Sequence, residues 1–223
     1  MDGIGIRQLV RDMGKKLLAA GLVLGTWGNV SARLDKKRMV ITPSGMDYLK
    51  IEPEDIAVVD VETGEWSGPR KPSTEAPLHS LIYKARPEVG AVIHAHSVFA
   101  STVAACGKDI PAVLEEVAQV AGGPVRVARY ALPGTKELAC NAVEALEGRN
   151  AVLLANHGVV AVGADLDEAF LVCQVVEKAA MVLIYGTLLG GVRLLPEGDV
   201  AELRRFFTEK YLAGRTRGDQ DSR

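Results

Sequence analysis

Apolar residues recur early in the chain at intervals of three and four, at Ile4, Leu9, Val10, Met13, Leu17 and Leu18. That is the period of an amphipathic helix over residues 4–20, ended by Gly21 and Gly25. The pattern then shortens. Residues 25–33 form a Gly/Asn-rich turn leading into a strand. Met39–Ile41 and Ile56–Val61 read as further short strands, closed by Thr42-Pro43-Ser44-Gly45 and Glu62-Thr63-Gly64-Glu65. Residues 71–75 read as a loop entering a helix to about Lys84, with a proline near its start and Ser73 or Thr74 as its cap. A strand at 90–95 and a helix at 97–105 follow, and 125–128 reads as another strand. Thr135 caps a helix to about Leu146. Strand 151–155 has a returning partner at 159–163, and a long helix spans 167–189.

Helices and strands in alternation predict an α/β fold, and 223 residues suffice for one core without demanding a second domain. The long helix is apolar on several faces, so more than one surface must cover it; packing against another copy would do so, which predicts a homo-oligomer. Residues 215–223 are polar and read as a disordered tail. A net charge of −2 excludes the basic footprint of nucleic-acid or membrane-surface binding. No signal peptide is visible, and no unbroken apolar run reaches bilayer-spanning length. Cys106, Cys140 and Cys173 are widely spaced and odd in number, which reads as reduced, mostly buried thiols of a cytoplasmic protein.

The chemistry lies in the histidines. Of only four, two end the apolar run Ala91-Val92-Ile93-His94-Ala95-His96, and a third ends Ala151-Val152-Leu153-Leu154-Ala155-Asn156-His157. Alternate strand residues share a face, so His94 and His96 point together. A lone histidine at a strand end is more often a hydrogen-bonded structural residue; a paired H-x-H with a third histidine at another strand end favours a catalytic zinc or similar divalent site. Glu75 is the candidate for the remaining position. His79, four residues after Glu75 on the same helix, reads as structural or supporting.

Three polar turns form a second constellation: Gly28-Asn29, Ser44-Gly45 and Ser73-Thr74. Their backbone N–H groups, hydroxyls and amides suit a phosphate, and a helix start after Ser73-Thr74 adds a favourable dipole. Any one of them alone is simply a turn.

The motifs G-T-W-G-N-V-S (25–31), I-T-P-S-G (41–45), K-P-S-T-E (71–75), H-A-H (94–96) and N-H-G (156–158) occur in that order. Together they resemble the class II aldolase/adducin-head family, especially its L-fuculose-phosphate aldolases, over about residues 4–212. The resemblance implies a single catalytic domain over 1–214, built as a three-layer α/β sandwich with a mainly antiparallel central sheet. It implies a cyclic homotetramer with sites at subunit interfaces. It further implies a zinc-dependent aldolase (manganese or cobalt fit the same ligands) that cleaves a small phosphorylated ketose, L-fuculose 1-phosphate or a related deoxypentulose phosphate. The products would be dihydroxyacetone phosphate and an aldehyde. His94, His96 and His157 would hold the metal, with Glu75 approaching it and serving as acid/base, and the three turns would hold the phosphate. Where the family's fuculose-phosphate aldolases use a tyrosine from the adjacent subunit, this chain reads Ile110-Pro111-Ala112-Val113-Leu114-Glu115-Glu116. Glu115 or Glu116 takes that place, and Tyr211 matches a family tyrosine that closes over the site. The missing tyrosine keeps a pentulose-phosphate 4-epimerase and a methylthioribulose-phosphate dehydratase as alternatives, although family epimerases carry aspartate where Glu75 stands. A non-catalytic head module would have lost the metal ligands, which are all present.

Overall fold

The computed structural model describes residues 3–212, with side chains over 4–209. The helix read from the three-four period is α1, Gly3–Ala19, and the chain leaves it at Gly21 with φ +69°, a left-handed turn that glycine adopts without strain. Eight strands follow: β1 (Asn29–Arg33), β2 (Arg38–Ile41), β3 (Ala57–Asp60), β4 (Trp66–Ser67), β5 (Ala91–Ala95), β6 (Arg126–Ala128), β7 (Ala151–Leu154) and β8 (Gly158–Gly163). They form one sheet in the order β4-β3-β2-β1-β5-β8-β7-β6. Every neighbouring pair is antiparallel except β6 and β7. Helices α2 (Ala76–Ala85) and α4 (Lys136–Leu146) cover one face; α1, α3 (Val98–Ala105) and α5 (Leu166–Leu188) cover the other. The three-layer α/β sandwich expected from the motifs is the observed fold.

Covering both faces is what makes the central strands apolar throughout. On β5, Ala91, Ile93 and Ala95 enter the core beneath α5, while Val92 enters the core beneath α2 and α4. The same alternation sends His94 to the α2 face. β1 behaves differently: Val30 and Ala32 face the large core, whereas Asn29, Ser31 and Arg33 alternate toward α2. An alternating strand ordinarily turns its polar side to water. Here α2 covers that side, and each polar group is paired under it.

Several local readings change. Glu75 occupies the N-cap position of α2 with no side-chain capping bond, because its carboxylate turns toward the histidines. Ser73 Oγ instead accepts the Glu75 N–H at 3.2 Å, bracing the turn one residue before the helix. Thr135 does cap α4, accepting the Leu138 N–H at 3.2 Å. α3 is capped from another element: the Glu177 carboxylate on α5 accepts the N–H groups of Phe99 and Ala100 at 2.9 and 2.8 Å, a charge well placed at a helix N-terminus. The short strand β4, the 3-10 turn Pro53–Asp55 and helix α6 (Glu197–Phe206) are additions, all too short or too polar to give a periodic signal. Cys106 and Cys140 are exposed and only Cys173 is buried, correcting the expectation of mostly buried thiols. The tail 215–223 lies outside the described residues.

α5 is long and apolar enough, by length and composition, to cross a bilayer. Its residues from Leu166 to Ala180 nevertheless form the centre of the large core. Beyond Ala180 it outruns the sheet, and Leu188 and Leu189 stand 78% and 88% exposed.

Two glycines let the chain close around β5. A Cβ on Gly28 (φ +85°) would lie 2.7 Å from the His94 carbonyl oxygen, and one on Gly158 would lie 2.4 Å from the Ala95 carbonyl oxygen. Gly158→Ala is therefore expected to lower stability by about 1–3 kcal/mol, the usual range for overpacking, read as a drop in the urea midpoint. A variant as stable as the parent contradicts this close approach.

Candidate metal centre and active site

β5 and the β7–β8 turn bring the three histidines together. His94 lies inside β5, paired across the sheet with Asn29 on β1 and Val160 on β8. His96 follows one residue beyond the strand end. His157 stands in the three-residue turn between Leu154 and Gly158, whose Asn156 takes φ 56°, a left-handed value that asparagine tolerates better than most residues. The His94 Nε2 lies 2.8 Å from His96 Nε2 and 3.2 Å from His157 Nε2. The ligand atoms of all three lie within 4.8 Å of one another. The α2 N-terminus adds the Glu75 carboxylate, with Oε2 3.2 Å from His94 Nε2 and Oε1 3.6 Å from His157 Nε2.

His94 Nδ1 donates to the Val159 carbonyl at 3.0 Å, so its Nε2 carries a lone pair directed at the cluster. Burial pushes the imidazoles of His94 and His96 down to about 3; for His94 the neighbouring His157 adds to this, and for His96 both other histidines do. Burial also holds His157 below the ordinary value. The rings are thus neutral at ordinary pH, the form that binds a metal. Glu75 is 6% exposed, and its Oε1 has no hydrogen-bond partner among the described residues. Three ring nitrogens and a carboxylate therefore crowd one point with more lone pairs than protons. A cation fits that donor set, and His94, His96 and His157 are the residues that would hold it.

Glu75, His96 and His157 line a cavity of about 300 Å³, while His94 is fully buried. Its walls are the three turns singled out in the sequence: Gly28 and Asn29, Ser44 and Gly45, Ser73 and Thr74. Every predicted phosphate-site residue is therefore brought to one place beside the histidines. Asn29 differs from expectation in one respect. Its side chain is buried and committed, with Nδ2 donating to Glu75 Oε2 at 2.9 Å and Oδ1 accepting from His79 Nε2 at 2.5 Å. Its amide supports the carboxylate. Arg70 and Lys71 line a smaller adjoining hollow that shares Pro43, Ser44 and Gly45.

Thr26, Trp27 and Pro133 also line the cavity and were not singled out from sequence. The Trp27 ring lies 5.6 Å from that of His96, tilted 32°. An aromatic residue inside a Gly/Asn-rich turn was the available signal for it. Glu115 is exposed and does not line the cavity of its own chain, and Glu116 is ion-paired with Lys178. Tyr211 falls in the terminal helical turns Phe207–Leu212, and its side chain lies outside the described residues.

Comparison with known proteins agrees with this geometry. The family described as Class II Aldolase and Adducin N-terminal domain matches residues 8–184. The chain is 38% identical, over 90% of its length and 94% of the relative's, to a 5-deoxy-D-ribulose 1-phosphate aldolase of Bacillus thuringiensis serovar kurstaki. It is 42% identical, over 79% of each chain, to a 5-methylthioribulose-1-phosphate/5-deoxyribulose-1-phosphate aldolase of Rhodospirillum rubrum. A solved L-fuculose 1-phosphate aldolase superposes with a TM-score of 0.88 at 40% identity, over 92% of this chain and 96% of that one. With most of its length matched and the full donor set in place, the chain belongs to the class II aldolase and adducin N-terminal domain family, as one of its carbon–carbon lyases.

Proposed function

We propose that the protein is a zinc-dependent aldolase that cleaves a 5-deoxypentulose 1-phosphate to dihydroxyacetone phosphate and a small aldehyde, with L-fuculose 1-phosphate as a related substrate. The carrying observation is the meeting of three neutral imidazoles and the Glu75 carboxylate beside a cavity walled by N–H-bearing turns. The names of the two deoxyribulose-phosphate relatives support the substrate class. So do the apolar walls at Trp27 and Pro133, which suit an aldehyde end without a terminal hydroxyl.

The phosphate is held by backbone N–H groups and hydroxyls from Gly28-Asn29, Ser44-Gly45 and Ser73-Thr74, aided by the start of α2 and by the charges of Arg70 and Lys71. His94, His96 and His157 would hold a divalent cation, which would supply Lewis-acid polarisation of the ketose carbonyl. In cleavage the C3–C4 electron pair moves to C3, the C4 hydroxyl loses its proton as its oxygen becomes the aldehyde carbonyl, and protonated Glu75 returns a proton to C3. In synthesis Glu75 removes that C3 proton. The acid/base serving the aldehyde oxygen comes from a neighbouring copy in a homotetramer, where Glu115 replaces the family tyrosine and Tyr211 closes over the site. The exposed apolar end of α5 supports the assembly.

Glu75→Gln is expected to bind zinc and inorganic phosphate normally yet cleave about 10²- to 10⁴-fold more slowly, the range for loss of a general acid/base. Coupled detection of dihydroxyacetone phosphate from 5-deoxyribulose 1-phosphate and L-fuculose 1-phosphate gives the measurement. Near-normal cleavage removes Glu75 from the mechanism, and substrate consumed without dihydroxyacetone phosphate points to an epimerase or dehydratase.

A pH dependence also follows. In the metal-free protein His94 and His96 hold pKa values of about 3, well below the value of 6.5 in a free chain. Between those limits the unfolded chain binds more protons, so the stability they contribute is complete above pH 6.5 and is lost as pH falls toward 3. Urea midpoints of the chelated protein should drop between pH 7.5 and pH 5. His94→Asn/His96→Asn should flatten that dependence, and an unchanged slope in the double variant would contradict the assignment.

A further inference from the structure

Behind Glu75 runs a chain of buried polar groups that the reaction itself does not touch. Asn29 Nδ2 donates to Glu75 Oε2 at 2.9 Å, and Asn29 Oδ1 meets His79 Nε2 at 2.5 Å. His79 Nδ1 lies 2.6 Å from Ser31 Oγ, which lies 2.9 Å from the Tyr83 hydroxyl. His79 has no exposed surface; Ser31, Tyr83 and Asn29 are nearly as enclosed. Buried polar groups need partners, so the donors and acceptors of this chain must match one another.

The protons of this chain can be placed in only one direction. Asn29 Nδ2 is the donor to Glu75 Oε2, so the amide presents its NH2 to the carboxylate. Its carbonyl then faces His79, and a carbonyl also only accepts, so His79 Nε2 carries the ring proton. In a neutral imidazole the other nitrogen is then an acceptor, and Ser31 must donate to it. Ser31 Oγ is left to accept from the Tyr83 hydroxyl, which burial keeps protonated. Every bond thus points toward Glu75.

We propose that His79 is a positioning residue: held as its Nε2–H tautomer by Ser31, it locks the Asn29 amide with its NH2 on Glu75 Oε2 and so reserves Oε1 as the oxygen that takes up and returns the proton. This rests on the reading of Glu75 as the acid/base. The two carboxylate oxygens differ as the proposal requires. Oε2 is occupied by Asn29, while among the described residues Oε1 has no hydrogen-bond partner. Without the His79 proton the Asn29 amide is free to turn over. Its carbonyl would then oppose the carboxylate, or would hold the proton at Oε2, the oxygen 3.2 Å from His94 Nε2. The device acts through orientation, so it affects turnover more than substrate affinity.

The experiment combines ring-nitrogen NMR of the wild type with kinetics of His79→Leu, His79→Gln and Ser31→Ala. In wild-type protein the long-range ¹H–¹⁵N pattern of His79 should be that of the Nε2–H tautomer; an Nδ1–H pattern overturns the proposal whatever the kinetics. His79→Leu matches the volume but not the donor, and should lose about 10- to 100-fold in kcat, as removal of outer hydrogen-bond partners does. KM for the ketose phosphate and zinc content should stay within about twofold of wild type. His79→Gln, whose amide can donate to Asn29 and accept from Ser31, should recover a large part of that loss. A folded His79→Leu with kcat within twofold of wild type overturns the proposal, as does a His79→Gln variant as damaged as His79→Leu. If His79→Leu fails to fold, Ser31→Ala decides: it should mix the His79 tautomers and lower kcat with KM kept, and a single Nε2–H tautomer with unchanged kcat overturns the proposal. A wild type inactive on all ketose phosphates but showing the Nε2–H tautomer overturns the aldolase reading instead and leaves the direction of the hydrogen bonds standing.

Discussion

Three imidazole nitrogens and a carboxylate share a space with too few protons to satisfy their lone pairs, and one of the rings is entirely buried. Brought together without a cation, such groups repel one another and lose the solvation they have in water. Two of its members are fixed from behind by backbone or by another buried side chain. His94 is tied to the Val159 carbonyl, and Glu75 to the Asn29 amide. The site is thus imposed by the fold rather than assembled by its own attractions, and a divalent ion is the natural counterpart to the mismatch.

This constraint explains why unremarkable residues surround the centre. Gly28 and Gly158 stand where two segments pass against the backbone of His94 and Ala95, at distances that admit no Cβ. Glu177 on α5 holds the start of α3, which begins immediately after the H-A-H segment. Both faces of the sheet therefore contribute: the α5 side supplies a rigid backing for β5, and the α2 side supplies the carboxylate and its support. The metal centre, the phosphate turns and the support chain all meet near the junction of β1, β5 and α2.

The polar face of β1 shows how a local pattern can mislead. Asn29, Ser31 and Arg33 alternate with Val30 and Ala32 in the manner of a strand half exposed to water. In the folded protein α2 lies over that face, and its His79 and Tyr83 continue the chain that Asn29 and Ser31 begin. Burying so many polar groups is tolerable because each finds a partner, and the pairing gives the Asn29 amide a single orientation.

Much was legible from the residues alone. The order of elements, the convergence of His94 with His96 and the choice of Glu75 and His157 follow from periodicity and from the few residue types that bind metals. Those features are local or rest on motif identity, so no distant contact is needed to see them. Other features depend on chain segments far apart in sequence. Asn29 and His79 lie fifty positions apart, and their bond exists only because β1 pairs with β5 and α2 packs across it. The same packing decided that Glu75 sits at the α2 N-cap without capping it, that Trp27 flanks His96 and that Glu115 does not line the cavity of its own chain. Residue type and spacing determine what a side chain is able to do; which groups it meets is decided by register and packing, since hydrogen bonds and lone-pair conflicts act only over a few ångströms.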